Sequence, residues 1–376
     1  MRIVRIANFV TPKSGGLRTA LRHLGTGYEA AGHEAVLIVP GPEASEEQTA
    51  QGLVITLPGP RVPGMGGYRM LLGRRRTASL LRDLRPDRVE VSDRTSLRWV
   101  GGWARKHDVP SMMVSHESLD GLLRLFGPAW GRQVADKLNG RTADGYDRIV
   151  CTTRWAAAEF ERIDAPNVSR VPLGVDLDRF SPALNDPVLR ARWAKPNEIL
   201  LLHCGRLSAE KKPRRSLDAV AALRRAGVPA QLVVAGSGPL LPMLRAEAER
   251  RALPVCFLGF LGDPALLGAL LATADVVIAP GPVETFGLAA LEALASGTPV
   301  VASAESALSE VIGSAGIAAP GDGPAYADAV LALMERPEDV RRRAAREQAE
   351  RFPWATAVDG FLSAHGVDRV RLVGSG

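Results

Sequence analysis

The chain has 376 residues, of which 46% are hydrophobic and 23% charged, and its formal net charge at pH 7 is +6. This length predicts two domains, and the apolar fraction is large enough for buried cores. No run of 18 apolar residues occurs, and the short, strand-like start at Met1 does not resemble a secretory signal, so neither a membrane-spanning helix nor a leader is expected. Three widely spaced cysteines form neither a disulfide framework nor a metal motif, which favours a reducing cytoplasm.

The first half of the chain alternates predicted strands with predicted helices. Strands are predicted at residues 2–7, 34–39, 88–92, 111–115 and 148–152, and a helix at 17–31. Residues 41–52 are rich in Glu and Gln, and we expect them to form a solvated loop. Alternating strands and helices are typical of a doubly wound parallel sheet, so an α/β fold is predicted.

A strongly basic segment lies at residues 68–85, where leucines and arginines alternate in a pattern that predicts an amphipathic helix. Such a helix can lie on an anionic membrane. The alternative is an ordinary packed helix with a solvated basic face. No aromatic stacking platform accompanies the arginines, which argues against nucleic acid as a partner. The candidates for contact with a membrane or with a membrane-bound acceptor are Tyr68, Arg69, Arg74, Arg75 and Arg76.

The pattern resets between residues 167 and 182, where prolines and glycines predict a hinge. Further strands are predicted at 199–204, 231–235, 255–258, 275–279 and 299–302, with helices at 214–226 and 240–252. We therefore expect two Rossmann-like domains, residues 1–180 and 181–353, with a C-terminal helical segment, 354–376, packing back on the first. Two such domains would face each other across a ligand cleft at the carboxyl ends of their strands.

Two glutamates eight residues apart, Glu284 and Glu292, follow the predicted strand that ends at Ala279. A Pro- and Gly-rich turn leads into a helix predicted to begin near Phe286, with Thr285 as its N-cap. The first amides of a helix lack intrahelical partners and lie at the positive end of its dipole, which creates an anion site. The amides expected there are those of Phe286, Gly287 and Leu288. Unless the glutamates are ordinary surface charges, such a site suits a ligand with hydroxyls and phosphates, such as a sugar nucleotide.

Other strand ends carry candidate phosphate-binding groups. Arg206 and Lys211 follow the strand that ends at Cys204, and an arginine fork with a lysine charge can clamp a diphosphate. An exposed basic loop is the alternative. Gly15 and Gly16 separate the first strand from the first helix, so they could cradle a phosphate or simply form a tight turn. They match neither the G-x-G-x-x-G nor the P-loop spacing.

Two residues end a strand of the first half, and a glycine pair ends one of the second. His116 and Glu117 follow the strand at 111–115, which would point them towards the cleft, although a lone histidine can equally be structural. Gly236 and Gly238 follow the strand at 231–235 and could line the cleft or form a plain strand-to-helix turn.

These motifs together resemble those of the retaining glycosyltransferases of family 4, which have the GT-B fold. The family's E-x7-E pair is matched by Glu284 and Glu292. Its other motifs are matched by Gly205, Arg206, Glu210 and Lys211, by Gly15 and Gly16, and by Gly174, Val175 and Asp176. The chain is also similar to the phosphatidylinositol-mannoside mannosyltransferases, through residues 7–9, 14–19, 90–94, 115–117, 150–153, 171–177, 203–208 and 279–294. The resemblance covers essentially the whole chain.

The resemblance implies GDP-mannose as the donor and a phosphatidylinositol mannoside as the acceptor, with an α-1,6 linkage as the expected product. Arg206 and Lys211 would hold the donor diphosphate, Glu284 the hydroxyls of the transferred sugar and Glu292 the ribose. Amides at residues 286–288, with the glycines at 15, 16 and 205, would meet the sugar and the phosphates.

Two further roles follow from the resemblance. His116 would lie near the 6-hydroxyl of the sugar, and Asp263 would pair with guanine. In some relatives a basic residue three positions after that carboxylate shapes the base pocket, but here the position is Leu266, which weakens the guanine assignment.

Transfer is expected to retain the anomeric configuration and to need no metal or other cofactor, because no D-x-D signature stands at a suitable site. We expect peripheral contact with the inner face of an anionic membrane and no nucleic-acid partner, and the oligomeric state stays open. One alternative is a family 4 enzyme that uses a UDP-sugar and a soluble acceptor, such as a small alcohol or a natural product. Others are a GT-B enzyme that is not a transferase, such as a sugar-nucleotide epimerase, and a non-catalytic basic binding protein.

Overall fold

The computed structural model describes residues 1–10, 15–62, 67–126 and 131–367. The chain divides into two units. The first comprises Met1–Gly174 together with the segment that begins at Trp354, and the second comprises Val175–Pro353. Each unit is an α/β structure built on its own sheet.

The first unit contains an eight-stranded sheet with the order β3-β4-β2-β1-β5-β6-β7-β8. Its strands are β1 (Arg2–Ile6), β2 (Glu34–Gly41), β3 (Ser45–Thr49), β4 (Gly52–Pro58), β5 (Arg88–Val91), β6 (Ser111–Ser115), β7 (Arg148–Cys151) and β8 (Val168–Arg170). Its helices, apart from the last helix of the chain, are α1 (Gly16–Ala30), α2 (Arg74–Leu84), α3 (Trp99–Lys106), α4 (Leu119–Phe126), α5 (Gly131–Ala143) and α6 (Arg154–Glu161). All neighbouring strands are parallel except β3 and β4, so the carboxyl ends of the central strands lie along one edge.

The second unit contains a six-stranded parallel sheet with the order β11-β10-β9-β12-β13-β14. Its strands are β9 (Ile199–Cys204), β10 (Ala230–Ala235), β11 (Val255–Gly259), β12 (Val276–Ala279), β13 (Val300–Ser303) and β14 (Ile317–Ala319). Its helices are α7 (Pro187–Ala191), α8 (Arg214–Arg225), α9 (Leu241–Arg250), α10 (Pro264–Thr273), α11 (Leu288–Ala295), α12 (Leu308–Ile312), α13 (Gly323–Met334) and α14 (Glu338–Ala349). Helices pack against the sheet because its central strands are buried and nearly all apolar.

The last helix of the chain, α15 (Trp354–Ala364), belongs to the first unit and packs on α1. The two helices approach closely because Gly27 has no side chain, since a Cβ there would lie 2.3 Å from Val358 Cγ2. Beyond α15, the Nε2 atom of His365 lies 3.2 Å from the buried Glu90 carboxylate on β5. Of the C-terminal helical segment predicted for this place, residues 368–376 lie outside the described part of the chain.

The predicted fold class is confirmed, whereas the loop expected at residues 41–52 is wrong. Residues 41–52 are not simply a loop, because they include β3, which pairs antiparallel with β4 at the edge of the first sheet. Side chains along β3 are exposed, and the strand is almost entirely polar, so no alternation of apolar and polar residues marked it.

Candidate functional site

Two loops at the carboxyl edge of the second sheet hold each other in place and present Arg206. The Gly205 amide donates to the carbonyl of Ala235 (3.1 Å), and the Leu207 amide donates to that of Ser237 (3.0 Å). Gly236 makes this approach possible, since a Cβ there would lie 1.8 Å from the Gly205 carbonyl oxygen. Arg206 is therefore held, half-buried, directly after β9.

Lys211 forms an ion pair with Glu284, through Nζ and Oε1, although the two residues are far apart in sequence. Lys211 ends a 3₁₀ turn, Ala209–Lys211, after β9, and Glu284 follows β12, the strand next to β9 in the sheet. The two side chains are 31% and 25% exposed, so solvent reaches the pair. Gly281 lies against both, because a Cβ there would be 3.3 Å from Glu284 Oε1 and 3.5 Å from Lys211 Cδ.

The start of α11 differs from the sequence prediction. The helix begins at Leu288, not near Phe286, and its N-cap is Gly287 rather than Thr285. Gly287 has φ +80°, a backbone conformation that favours glycine. A Cβ at this position would also lie only 2.2 Å from Leu308 Cδ2, so both the backbone conformation and the close packing require glycine.

The predicted set of helix-end amides changes accordingly. The first amides inside α11 are those of Leu288 and Ala289. The Phe286 ring is buried and packs edge-to-face on Phe352, with ring centroids 5.9 Å apart. The positive end of the helix still follows the loop that carries Glu284, and it lies two residues later than predicted, so the anion site stays a prediction with its amides shifted accordingly.

Glu292 lies within α11 and is half-buried near the end of β9. Burial, together with the negative charge of Glu292, raises the pKa of the Cys204 thiol to about 12. This thiol is therefore protonated at neutral pH and is not suited to act as a nucleophile. His203, also on β9, contacts Ser216 Oγ through Nδ1 (2.9 Å), and burial and then the charge of Lys211 lower the pKa of His203 to about 4. His203 is neutral beside the site.

Asp263 is the N-cap of α10, and its Oδ1 atom accepts a hydrogen bond from the Ala265 amide (2.8 Å). The residue is exposed and lies between two exposed apolar side chains in the sequence, Phe260 (48%) and Leu266 (38%). One carboxylate oxygen of Asp263 is thus engaged by the helix end.

In the first unit, Gly15 and Gly16 stand where β1 leads into α1. Gly15 is the N-cap of the helix and accepts a hydrogen bond from the Thr19 amide (3.2 Å), and both glycines are exposed. Residues 11–14, which complete this loop, lie outside the described residues.

His116 and Glu117 follow β6, as predicted, and both are half-buried. Burial lowers the pKa of His116 to about 4, with Glu90 acting against and Arg94 acting with this effect. His116 is therefore neutral at physiological pH. Its placement at a strand end agrees with the sequence, whereas its role towards the sugar stays a prediction.

The basic segment differs from the predicted amphipathic helix that begins at Tyr68. Helix α2 begins only at Arg74. Tyr68 instead packs edge-to-face on Phe9, with ring centroids 5.9 Å apart, and Arg69 Nη1 donates to the Gly59 carbonyl. These two residues are therefore engaged within the first unit, in the loop that precedes the helix.

The apolar face of α2 is used by the protein core. Leu81 belongs to the core, and Leu80 and Leu84 pack against it. This arrangement corresponds to the packed helix with a solvated basic face, because Arg75 and Arg76 are exposed and Arg74 lies over the Trp99 ring (5.2 Å to its centroid). The apolar residue that stays exposed here is Leu72 (57%), just before the helix.

The described residues contain no group of three or more His, Cys, Asp or Glu side chains that could hold a metal ion. Within residues 1–10, 15–62, 67–126 and 131–367, the helices are too short or too polar to cross a bilayer.

Known families match almost the entire chain. The family model described as "Glycosyltransferase Family 4" matches residues 14–179, and that described as "Glycosyl transferases group 1" matches residues 186–352. A Mycobacterium tuberculosis (strain ATCC 25177 / H37Ra) protein named GDP-mannose-dependent alpha-(1-6)-phosphatidylinositol dimannoside mannosyltransferase is 51% identical over 97% of this chain and 96% of its own length. The chain therefore belongs to the family 4 glycosyltransferases and is an enzyme of that class.

A more distant relative is also a glycosyltransferase, and solved structures agree on the fold. A D-inositol 3-phosphate glycosyltransferase of Geodermatophilus obscurus is 34% identical over 61% of this chain and 52% of its own length. Sucrose-phosphate synthase from Thermosynechococcus elongatus has a similar structure, with a TM-score of 0.77, 20% identity, and coverage of 97% of this chain and 98% of its own. Anabaena Alr3699/HepE, solved with UDP and glucose, has a TM-score of 0.75 at 16% identity, covering 97% and 99% of the two chains. These neighbours have the GT-B fold.

The sequence alone did not identify the contacts that hold the site together. Gly281 was not singled out, yet its missing side chain leaves room for the Lys211–Glu284 pair. Gly236 was predicted to line the cleft or to form a turn, and its packing on Gly205, a contact between separate loops, was not foreseen. The available signal was the position of each glycine directly after a strand.

Proposed function

We propose that this enzyme transfers mannose from GDP-mannose to a phosphatidylinositol mannoside, forms an α-1,6 linkage and retains the anomeric configuration. The observation that carries the proposal is the 51% identity to the M. tuberculosis mannosyltransferase over 97% of the chain. At that level, with both family models matched, the donor and acceptor in the relative's name are the best guide to this chain's substrates. The geometry of the second unit supports the donor part.

The charges at the carboxyl edge of the second sheet suit a sugar diphosphate. We assign Arg206 and Lys211 to the diphosphate, where their positive charge stabilises the negative charge that develops on the departing GDP. Glu284 would accept hydrogen bonds from hydroxyls of the mannose, and Glu292 from the ribose. The start of α11, at Leu288, would direct its amides and its positive dipole end at the donor.

The Lys211–Glu284 ion pair gives a physical account of how the donor would be received. Without donor, each charge satisfies the other. A diphosphate offers Lys211 a stronger anionic partner, and a sugar hydroxyl offers Glu284 a donor of hydrogen bonds. Because the pair is partly exposed, exchanging it for ligand contacts costs little desolvation. Donor binding would thus replace an internal pair with two contacts to the ligand.

The transfer breaks the bond between C1 of mannose and the phosphate oxygen and forms a bond from C1 to an acceptor oxygen on the same face of the sugar. The proton of the acceptor hydroxyl passes to the departing phosphate. Neither glutamate is needed as a general acid, because a diphosphate leaves without being protonated. The contribution of the enzyme is then positioning and electrostatic stabilisation.

We further propose that the reaction needs no metal ion, because Arg206 and Lys211 supply the positive charge that a metal would supply elsewhere. Unchanged turnover in excess EDTA is expected. Loss of activity on chelation, with recovery on adding Mg²⁺ or Mn²⁺, would contradict this proposal.

We propose that the enzyme reaches its lipid acceptor by peripheral contact with the anionic inner face of the membrane, which would place it in the cytoplasm. The contact would use the exposed side chains before and at the start of α2, namely Leu72 and the arginines at 74–76. Exposed arginines contribute about 1 kcal/mol each at an anionic surface.

Vesicle binding tests this membrane contact. Changing Arg74, Arg75 and Arg76 together to Gln should weaken binding to vesicles that contain phosphatidylglycerol by about tenfold or more, since several favourable charges are lost. GDP affinity should stay unchanged. The control is the same change at the exposed Arg224 and Arg225 in α8 of the second unit. Equal vesicle binding by the α2 variant and the wild type would refute the role of this surface.

The substrates are tested by measuring binding of GDP, UDP and ADP by calorimetry, followed by transfer from GDP-mannose to vesicles that contain phosphatidylinositol dimannoside. Selective GDP binding and acceptor-dependent release of GDP are expected. Selective UDP binding would contradict the donor assignment and favour the family 4 alternative with a UDP-sugar. Transfer to inositol 3-phosphate instead of the glycolipid would contradict the acceptor and favour the activity named for the G. obscurus relative.

A further inference from the structure

The carboxyl edge of the first sheet carries acidic side chains that the proposed function does not use, and Glu117 is the one that follows β6. Strands β1, β5 and β6 are neighbours in this sheet, so the residues that follow them lie side by side. Val91 pairs with Met113, which brings Asp93, two residues after β5 ends, next to the end of β6 and Glu117. Asn8, after β1, lies on the other side of Asp93.

Asp93 is a fixed, fully engaged carboxylate. Its Oδ1 atom accepts from the Thr95 amide (2.8 Å) and the Thr95 hydroxyl (2.6 Å). Its Oδ2 atom accepts from Asn8 Nδ2 (2.7 Å) and Ser96 Oγ (2.9 Å). Four donors from the same chain surround this carboxylate, which is only 2% exposed. Asp93 is therefore a buried, hydrogen-bonded carboxylate beside Glu117.

Arg94 does not neutralise Glu117. Its Nη1 atom contacts Asn139 Oδ1 (2.9 Å) and Glu159 Oε2 (3.2 Å), and its guanidinium lies 5.5 Å from the centre of the Phe160 ring. Arg94 is thus held by the helices α5 and α6. Among the described residues, none forms an ion pair with the Glu117 carboxylate. Within the described residues of the first unit, the carboxylate of this half-buried side chain thus lacks an ion-pair partner.

These surroundings determine when Glu117 loses its proton. Burial, followed by the charge of Asp93, raises the pKa of Glu117 to about 7, against the lowering effect of Arg94. Of the other charged groups around this strand end, Glu159 is paired with Arg94, and Asp120 at the start of α4 lies 3.7 Å from Arg162. His116, next in the chain, is neutral because its pKa is about 4.

We propose that Glu117 binds a hydroxyl of the acceptor sugar and so determines how the acceptor is oriented and selected. The position favours an uncharged hydroxyl over a phosphate, since a phosphate would meet the charges of both Asp93 and Glu117. Ionised Glu117 accepts hydrogen bonds from hydroxyls more strongly than its protonated form does. Acceptor binding should therefore strengthen as pH rises through about 7. This inference rests on the proposed function, because it takes the acceptor to be a glycolipid whose sugar carries free hydroxyls.

The test compares Glu117→Ala and Glu117→Gln with the wild type, using GDP-mannose and vesicles that contain phosphatidylinositol dimannoside. Glu117→Ala should lower kcat/KM for the acceptor about tenfold or more, as expected for losing a charged hydrogen bond. The affinity for GDP, measured by calorimetry, should not change. In the wild type, kcat/KM for the acceptor should rise with pH through about 7, whereas Glu117→Gln should show no such rise. Glu47→Gln, at an exposed position on β3, is the matched control and should keep the wild-type profile.

The outcomes separate this inference from the proposed function. Wild-type transfer combined with an unchanged acceptor kcat/KM in Glu117→Ala overturns the inference alone. A parallel fall of GDP affinity and acceptor kcat/KM also overturns it, because Glu117 would then act on the whole fold. Should Glu117→Ala fail to fold, Glu117→Gln, which keeps shape and volume, decides by its pH profile. Absence of transfer by the wild type overturns the proposed function, and this inference with it.

Discussion

The carboxyl edges of the two sheets carry charged side chains in opposite states. In the first unit, Asp93 is buried and accepts four hydrogen bonds from its own chain. In the second unit, Lys211 and Glu284 depend on each other and are partly open to solvent. A network of the first kind stabilises loops, whereas a pair of the second kind can exchange its partner for a ligand. Charged side chains at the same topological position are thus fixed by internal hydrogen bonds at Asp93 in the first unit, whereas in the second unit they are paired with each other and partly exposed.

Removing the charge at Lys211 tests whether the Lys211–Glu284 pair takes part in transfer, and it should have the largest effect on activity. Lys211→Ala should lower kcat by about 10²–10³-fold, because the departing diphosphate loses a cation that stabilises it. The free energy of unfolding should change by only about 0–1 kcal/mol, since the ion pair is partly exposed. Steady-state kinetics and thermal unfolding measure the two effects.

The matched control is Lys212→Ala, which removes an exposed neighbouring lysine. It should leave both kcat and the unfolding midpoint close to those of the wild type. Wild-type turnover by Lys211→Ala, or equal losses in the two variants, would show that the ion pair has no part in transfer.

Removing the carboxylate of Asp93 tests whether its hydrogen bonds stabilise the first unit. Asp93→Ala leaves the buried side-chain amide of Asn8 without this acceptor, at about 1–3 kcal/mol, and also removes the acceptor of the more exposed Thr95. Hydrogen exchange at the Leu71 amide, which donates to Asn8 Oδ1 (2.8 Å), should become faster because Asn8 is no longer held. Calorimetry should show an unchanged affinity for GDP.

Asp83→Ala, at an exposed position in α2, serves as the control for Asp93 and should keep the wild-type stability. If Asp93→Ala unfolds like the wild type, the four hydrogen bonds at this edge do not stabilise the first unit, and the contrast between the two edges fails.

The smallest expected effect is on the pH dependence of stability, and it comes from His203 in the second unit. The pKa of His203 is lowered to about 4 by burial and by Lys211. Between pH 4 and about 6.5, the unfolded chain binds a proton at this histidine that the folded chain does not, so stability falls as pH falls through this range. His203→Gln removes this proton uptake, and its unfolding midpoint should fall less steeply with pH than that of the wild type. Parallel curves for the two proteins would contradict the assignment of a neutral, buried His203.

The sequence predicted the central strands of both sheets, because these are apolar runs bounded by turn residues, but it did not predict β3, β4, β8 or β14. It also predicted that Arg206, Lys211 and Glu284 follow strand ends and that Glu292 lies inside the helix that comes next. The ion pair between Lys211 and Glu284 could not be predicted from sequence, because it depends on β9 and β12 being neighbours in the sheet. Chain order would not place those two strands together.

Two local errors have a clear physical origin. Thr285 is a common type of N-cap residue, but the contact between the positions of Gly287 and Leu308 sets the start of α11 one residue after Gly287. The leucines of α2 were compatible with contact to either a membrane or the protein core. In the structure they pack in or against the core of the first unit. In both places, contacts between segments distant in the chain outweighed a local preference.

Helix α15 belongs to the first unit but is synthesised after the second unit, which affects the order in which the two units can complete folding on the ribosome. Residues 1–174 emerge first, yet the helix that packs on α1 and the histidine that reaches Glu90 emerge only after residue 353. The second unit is a continuous stretch of chain, so all of its residues are available before those of the first are complete. During synthesis, the first unit therefore stays incomplete until the last segment of the chain covers α1. A chain truncated shortly before residue 354 would contain all of the second unit but lack the helix that packs on α1 in the first.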